Sequence, residues 1–153
     1  ELVNAIPAMA KIQSKKISFC LMIYAVLDTN VLVSALLSKS AESTISRLIH
    51  AVIDGRIIPM YSDEIIDEYK KVLSRDKFHF PQELQEALIN RILNTGLDSE
   101  RIHFDEIMPD EDDRVFYEVT LSRNDAFLVT GNQRHFPVSP IVVTPAEMLK
   151  MLK

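Results

Sequence analysis

The sequence predicts an α/β fold with a largely parallel central sheet, and three observations support that fold class. Short apolar runs with the length of buried strands alternate along the chain with longer segments whose apolar residues recur at helical spacing. Residues typical of turns and helix caps, such as Gly55, Ser62 and Gly131, separate those segments. The 153 residues, of which 47% are hydrophobic and 25% charged, have the size and balance of one globular domain.

The first half of the chain predicts two strands and three helices. The strands are continuous apolar runs, at 24–27 and 57–61. The helices have apolar residues that recur every three or four positions, at 31–37, 43–54 and 63–73. Gly55 suits the C-cap of the second helix, and Ser62 is a good N-cap for the third.

The second half predicts three further strands and three further helices. The strands are again short, at 102–104, 126–130 and 141–143, and apolar residues dominate the last two. Two of the helices are predicted at 81–94, where Pro81 suits the first turn and Gly96 follows the end, and at 114–121. Thr144 and Glu147 form a capping box around Pro145, which predicts the start of the last helix.

The first 21 residues are expected to lie outside the domain. The apolar run 17–27 follows Lys15 and Lys16 but is too short to span a bilayer, and no small-residue cleavage site follows it. Met22 lies inside that run and would be a natural start. We therefore interpret 1–21 as an expression-derived or upstream-start extension and 22–153 as the domain.

Composition excludes several function classes. The formal net charge is −5, and from Met22 onward 14 basic and 21 acidic residues leave −7, which argues against a broad basic surface for nucleic acid. Cys20 is the only cysteine, so neither an internal disulfide nor a multi-cysteine zinc site can form. The three glycines lie too far apart for a phosphate-binding or dinucleotide-binding loop. The chemistry must therefore come from carboxylates, hydroxyls, amides and histidines.

Polar residues follow two of the predicted strands directly. Asp28, Thr29 and Asn30 come after the first strand, and Thr130 and Asn132 come at the end of the strand near 126–130. Ligands of open α/β sheets bind beyond the carboxyl ends of strands, so these side chains are candidates for a site. The alternative is structural, because Asp, Thr and Asn are also good helix caps and turn residues.

Acidic residues also begin or line two predicted helices. Glu64 and Glu68 are four residues apart on one helix face, where like charges repel unless a cation or Lys71 balances them. Residues 110–113 are all acidic at the start of another helix, which exceeds what capping requires. Both groups could instead be solvated surface charge. Oxygen ligands without a His/Cys set would select a hard cation, Mg²⁺ or Mn²⁺.

Four strings of this sequence together resemble the PIN-domain family, and more narrowly its toxins of toxin–antitoxin systems. They are VLDTNVLVSALL, SDEIIDEYKKVLSR, PDEDDRVFYEVTLSRNDAFLVTGNQRHFP and VVTPAEML, in that order. The resemblance covers about 22–152. It implies a three-layer α/β/α Rossmann-like fold with a mainly parallel sheet, and a ribonuclease that depends on Mg²⁺ or Mn²⁺.

The resemblance also implies which acids form the catalytic site. The family's first acid falls on Asp28, its helical Glu on Glu68 with Glu64 as the alternative, and its third acid on Asp113 with Asp112 as the competitor. We expect Asp28 and Asp113 to bind the metal ion and Glu68 to bind it or to hold or deprotonate the attacking water.

One position departs from the family pattern. Many PIN domains carry a fourth acid where this chain has Asn132, which can ligate a metal ion but brings no charge. The change is expected to weaken metal binding, above all of a second ion. Asn132 and Asp112 are the remaining predicted metal ligands.

The predicted substrate contacts lie near the same strand ends. They are Asn30, Thr130, Arg134 and His135, of which the last two follow Asn132 on one loop. More distant basic candidates are Lys39, Arg47, Lys77, Arg114 and Arg123.

The resemblance further implies partners, which are an RNA substrate, a cognate antitoxin protein and a homodimer or higher homo-oligomer. The acidic composition with a single cysteine predicts a cytoplasmic protein, and the short apolar run predicts no membrane span. The alternative function is a catalytically weak RNA- or protein-binding module, which the missing fourth acid favours. A phosphotransfer domain is a more distant alternative, since such a domain also has an Asp at a strand end.

Overall fold

The computed structural model describes residues 22–152, which form a central sheet of five parallel strands flanked by helices. The strands are β1 Ile23–Leu27, β2 Ile57–Tyr61, β3 Leu97–Asp98, β4 Ala126–Val129 and β5 Val142–Val143. The helices are α1 Thr29–Leu37, α2 Thr44–Ile53, α3 Asp63–Leu73, α4 Gln82–Thr95, α5 Arg114–Thr120 and α6 Pro145–Met151. This confirms the predicted fold class. The predicted extension 1–21 lies outside the described residues.

The strand order places the end of β1 at a switch in chain direction. The order is β3-β2-β1-β4-β5, so the chain moves to one side of β1 through β2 and later returns to the other side through β4. The register pairs Leu27 with Val129, and the N–H of Asp28 donates to the carbonyl oxygen of Val129 at 2.9 Å. Such a point opens a crevice beyond the strand ends, which is where open α/β sheets bind ligands.

Both faces of the central strands are covered. Ala25, Val26 and Leu27 of β1 and Leu128 of β4 are fully buried. Because strands buried on both faces read as continuous apolar runs, these strands are visible in the sequence. Helix α2 packs on α6, whereas α3 packs on α4 and α5.

A buried tyrosine of helix α3 makes a hydrogen bond to the end of β1. The hydroxyl of Tyr69 donates to the carbonyl oxygen of Leu27, and its ring contacts Phe116 of α5 with 6.3 Å between centroids. Burial, and then the nearby Asp28 charge, raise the pKa of Tyr69, so the hydroxyl keeps its proton. Glu68 directly precedes Tyr69 in α3.

The third strand differs from the prediction. Residues 102–104 form no strand, and β3 is the pair Leu97–Asp98 directly after α4. A Cβ at Gly96 would clash with the carbonyl oxygens of Pro59 and Ile92, so only glycine lets the chain pass from α4 into a strand beside β2 at this point. The apolar run at 102–104 lies instead along α5, where the N–H of Ile102 donates to the carbonyl oxygen of Glu118.

The predicted caps are confirmed. Ser62 Oγ accepts from the N–H of Ile65 at 3.3 Å at the start of α3. Thr144 and Glu147 form the reciprocal capping box of α6, with Pro145 at its first position. Within residues 22–152, no helix combines the length and apolar character needed to cross a bilayer.

Candidate functional site

Asp28 lies in the crevice at the end of β1, and its side chain does not serve as a helix cap. It occupies the N-cap position of α1, yet its carboxylate makes no capping hydrogen bond. Instead its Oδ2 accepts from Thr130 Oγ1 at 2.7 Å, across the β1–β4 boundary. Asp28 is only 4% exposed. Burial raises the pKa of this carboxylate, whereas the backbone N–H groups of Thr29 and Asn30 lower it, and the carboxylate remains a candidate ligand at the crevice.

Thr130 holds Asp28 in place. It is fully buried, and its Oγ1 also accepts from the N–H of Asn132 at 3.0 Å. The hydroxyl therefore links the ends of β1 and β4 through two hydrogen bonds. This geometry supports a positioning role for Thr130 in place of the direct substrate contact expected from the sequence.

The four acids at 110–113 have different surroundings. Asp110 accepts from the N–H of Asp112 at 3.0 Å and caps a 3₁₀ turn, Glu111–Asp113. Glu111 forms a two-pronged ion pair with Arg114, at 2.7 and 2.8 Å. Asp112 is exposed. Asp113 precedes α5 without capping it, and its side chain is 17% exposed. Of the two competing predictions, the geometry favours Asp113.

Asp110, Asp113 and His135 form one compact group. Each offers a ligand atom, and these atoms lie within 4.8 Å of one another. His135 Nδ1 is 3.3 Å from Asp113 Oδ2 and 3.9 Å from Asp110 Oδ2. His135 was expected from the sequence to contact substrate, and Asp110 was not expected to have an individual role. The sequence signal for a structural role of His135 was its spacing from Asn132, because residues three positions apart can lie on one turn.

The carboxylates of this crevice repel one another. Burial raises the pKa of Asp28, against the hydrogen bond from Thr130 that lowers it. Burial, followed by the charges of Asp28 and Asp110, raises the pKa of Asp113 to about 6, and His135 opposes that rise. No lysine or arginine of the described chain forms an ion pair with Asp28 or Asp113.

These features fit a hard divalent cation. The donors are mainly carboxylate oxygens, which Mg²⁺ and Mn²⁺ prefer, and His135 adds one imidazole nitrogen to the compact group. The adjacent hydroxyl, Thr29 Oγ1, is buried and has no hydrogen-bond partner among residues 22–152. A buried polar atom without a partner is rare and is often satisfied by a water or an ion.

Glu64 and Glu68 on α3 are distinguished by their partners. Glu64 Oε2 accepts from Arg101 Nη1 at 2.8 Å, so its charge is balanced within the fold. Glu68 is half-buried and forms no ion pair with another described residue. It lies next to Tyr69, which fastens α3 beside Asp28. Glu68 lies outside the compact group of Asp110, Asp113 and His135.

A cleft of about 710 Å³ includes three predicted site residues, Asn30, Asn132 and Arg134, in its lining. Apolar and polar residues both line it, and none of the predicted catalytic acids does. Arg134 is exposed and makes no ion pair with another described residue. A second cleft of about 770 Å³ lies between α3 and α4 and contains none of the predicted site residues.

Glu118, which the sequence pattern did not single out, holds the segment 101–104 against α5. It is 3% exposed and accepts from the N–H of Phe104 at 3.0 Å and from Arg101 at 2.9 Å. Although burial opposes it, these hydrogen bonds lower the pKa of Glu118. Arg114 donates to the carbonyl oxygens of Phe104 and Glu106. The sequence signal for Glu118 was a charged residue on the buried face of α5, four positions after Arg114.

Two of the predicted RNA-binding arginines are used within the fold. Arg114 holds the segment before Asp110, as described. Arg123 pairs with Asp125 at 2.9 Å and stacks over the Tyr24 ring at 3.7 Å. These contacts leave Arg134 as the basic residue best placed for a substrate in the cleft.

Comparison with known proteins gives one match. The family model described as the PIN domain matches residues 24–134, which include Asp28, Glu68, Asp113 and Asn132. Searches among curated proteins and among solved structures return no match.

Proposed function

The chain belongs to the PIN-domain family, a nuclease-like family that generally depends on divalent metal ions, and on that premise we propose that it is an endoribonuclease dependent on Mg²⁺ or Mn²⁺. The reaction is hydrolysis of an RNA phosphodiester bond. The observation that carries the proposal is the proximity of Asp28 and Asp113, where the charge of Asp28, after burial, helps to raise the pKa of Asp113.

The acids have separate roles in this proposal. Asp28, held by Thr130, and Asp113 would bind the ion. Glu68 would hold the attacking water and accept its proton. Asp112 and Asn132 remain predicted ligands with less support, because Asp112 is exposed and the Asn132 amide faces His135. A bound divalent ion would activate water and neutralise phosphate charge.

The cleft that Asn30, Asn132 and Arg134 line supports an RNA strand as the substrate. It begins at Asn30 and Asn132, beside Asp28, and Arg134 supplies a positive charge on its wall. Arginine is suited to bind phosphate oxygens, and amides can bind phosphate or base edges. An overall negative charge is compatible with this arrangement, because the ion and Arg134 would meet the phosphate locally.

The biological role follows only from the resemblance. We propose a toxin of a type II toxin–antitoxin system that acts in the cytoplasm, dimerises and is held inactive by a cognate antitoxin protein. A neighbouring gene for a small DNA-binding antitoxin would support that role. Co-purification of the encoded antitoxin with this chain would support it as well.

Cleavage of labelled RNA tests the enzymatic proposal. Activity is expected with Mn²⁺ or Mg²⁺, and both excess EDTA and Asp28→Asn should abolish it. The matched control is Asp67→Asn, which removes an exposed acid of α3 and should leave cleavage unchanged. Activity that survives EDTA and Asp28→Asn would contradict the proposal.

The second candidate is a binding module with little catalysis. Asn132 in place of a fourth acid favours it, because an amide contributes no charge to hold a second ion. RNA retained by the protein in Mn²⁺ without turnover, with unchanged folding, would support the module over the enzyme.

A further inference from the structure

Asn132 and His135 face each other across one short turn. Asn132 precedes the 3₁₀ turn Gln133–His135, and the N–H of His135 donates to the carbonyl oxygen of Asn132 at 3.1 Å. Their side chains are joined as well, because Asn132 Nδ2 lies 2.8 Å from His135 Nε2. The other ring nitrogen, Nδ1, is 3.3 Å from Asp113 Oδ2. One imidazole thus connects Asn132 to Asp113.

Hydrogen-bond chemistry assigns the proton on this ring. An amide NH₂ group only donates, so Nε2 of His135 must accept with its lone pair. An imidazole whose Nε2 accepts has its proton on Nδ1, the nitrogen that lies 3.3 Å from Asp113 Oδ2. The hydrogen-bond partner of one imidazole nitrogen therefore determines whether the other nitrogen carries the proton.

We propose that Asn132 and His135 are a positioning pair that orients the Asp113 carboxylate for the metal ion, in place of a fourth acid. Asn132 holds the neutral imidazole with its proton on Nδ1, and that N–H holds Oδ2 of Asp113. The second carboxylate oxygen of Asp113 remains for the ion. The inference rests on the proposed function of Asp113 as a metal ligand, and it replaces direct ligation by Asn132 with an action through His135.

Charge explains why an amide suits this position. Asp28 and Asp110 already act on Asp113 and raise its pKa to about 6. Another carboxylate would add to that repulsion, whereas an amide adds a hydrogen bond without charge. Partners that orient a ligand from behind typically change metal affinity about 10–100-fold when they are removed.

Nitrogen NMR of the metal-free, histidine-labelled protein tests the tautomer. With the imidazoles neutral, His135 is expected to show the proton on Nδ1, and the signals that disappear in His135→Gln identify it. Asn132→Ala should shift His135 towards a mixture with the proton on Nε2. The matched control, Asn94→Ala on the exposed face of α4, should leave His135 unchanged. His50, His79 and His103 are internal references in each spectrum.

Calorimetric titration with Mn²⁺ tests the positioning role. Asn132→Ala should weaken Mn²⁺ binding about ten-fold or more, and Asn94→Ala should not change it. A wild-type His135 with its proton on Nε2, or equal Mn²⁺ affinity in Asn132→Ala and wild type, would overturn the inference. Because the tautomer is read without metal or RNA, an inactive wild type with the Nδ1 proton in place would contradict the nuclease proposal alone.

Discussion

The hydroxyl of Thr130 is the side-chain donor to the buried Asp28 carboxylate. Thr130→Val keeps the shape but leaves Oδ2 buried without this donor, so we expect a loss of about 1–3 kcal/mol in the free energy of unfolding. Urea denaturation would measure it. The control is Thr95→Val, whose exposed hydroxyl donates only to Arg91 of its own helix and should cost well under half as much. Equal effects of both variants would contradict the role assigned to Thr130.

Asp113 gives the unfolding free energy a defined pH dependence. Its pKa is about 6 in the folded protein, above the ordinary value of 3.8, so the folded state binds the proton more tightly than the unfolded state. Stability from this group is therefore lost as the pH rises from about 4 to above 6. In EDTA, Asp113→Asn should be more stable than wild type by about 1–2 kcal/mol at pH 7.5, after allowance for solvent screening, and the gain should vanish near pH 4. A gain that is constant with pH would contradict this origin.

At the scale of elements, Gly96 determines where β3 can begin. Gly96→Ala would drive a methyl group into the carbonyl oxygens of Pro59 and Ile92, and we expect it to cost about 2–4 kcal/mol of unfolding free energy, measured by urea denaturation. Gly131→Ala is the matched control, because a Cβ there meets no atom within 4 Å. If Gly96→Ala unfolds at the same urea concentration as Gly131→Ala, the close passage from α4 to β3 is not required.

The elements also show what could be predicted from sequence. β1 and β2 are continuous apolar runs, and Ser62 and the Thr144 capping box are local signals, so these were found. β3 has two residues, too few for a periodic pattern, and the run 102–104 resembles a strand although it contacts α5. Its position depends on Glu118 and Arg114, whose contacts join residues 10 to 14 positions apart.

The same reasoning applies to the candidate site. Asp28 and Asp113 were expected from polar residues at strand ends and helix starts, together with the family resemblance. The grouping of Asp110 with His135 was not expected, because it joins two loops that the sequence pattern treats separately. The hydrogen bond from Thr130 to Asp28 could likewise not be predicted, since the two residues lie 102 positions apart.

At the scale of the whole molecule, ion binding should be visible as stability. A ligand that binds only the folded state stabilises it by about 2.7 kcal/mol at a free concentration 100 times its Kd. Thermal unfolding should therefore shift upward with Mn²⁺ for the wild type and for Asp67→Asn, and much less for Asp28→Asn. Equal shifts in all three proteins would place the ion elsewhere on this acidic surface.

Because β1 lies between β2 and β4, its two neighbouring strands become available at different times during synthesis. β1 can pair with β2 as soon as residue 61 is available, but the neighbour that supplies Thr130 to Asp28 is made some 70 residues later. Chains are made at about 5–20 residues per second, so a growing chain passes several seconds with Asp28 unsupported. The crevice is therefore completed only near the end of translation, and a ribosome-bound fragment that ends before β4 cannot assemble it.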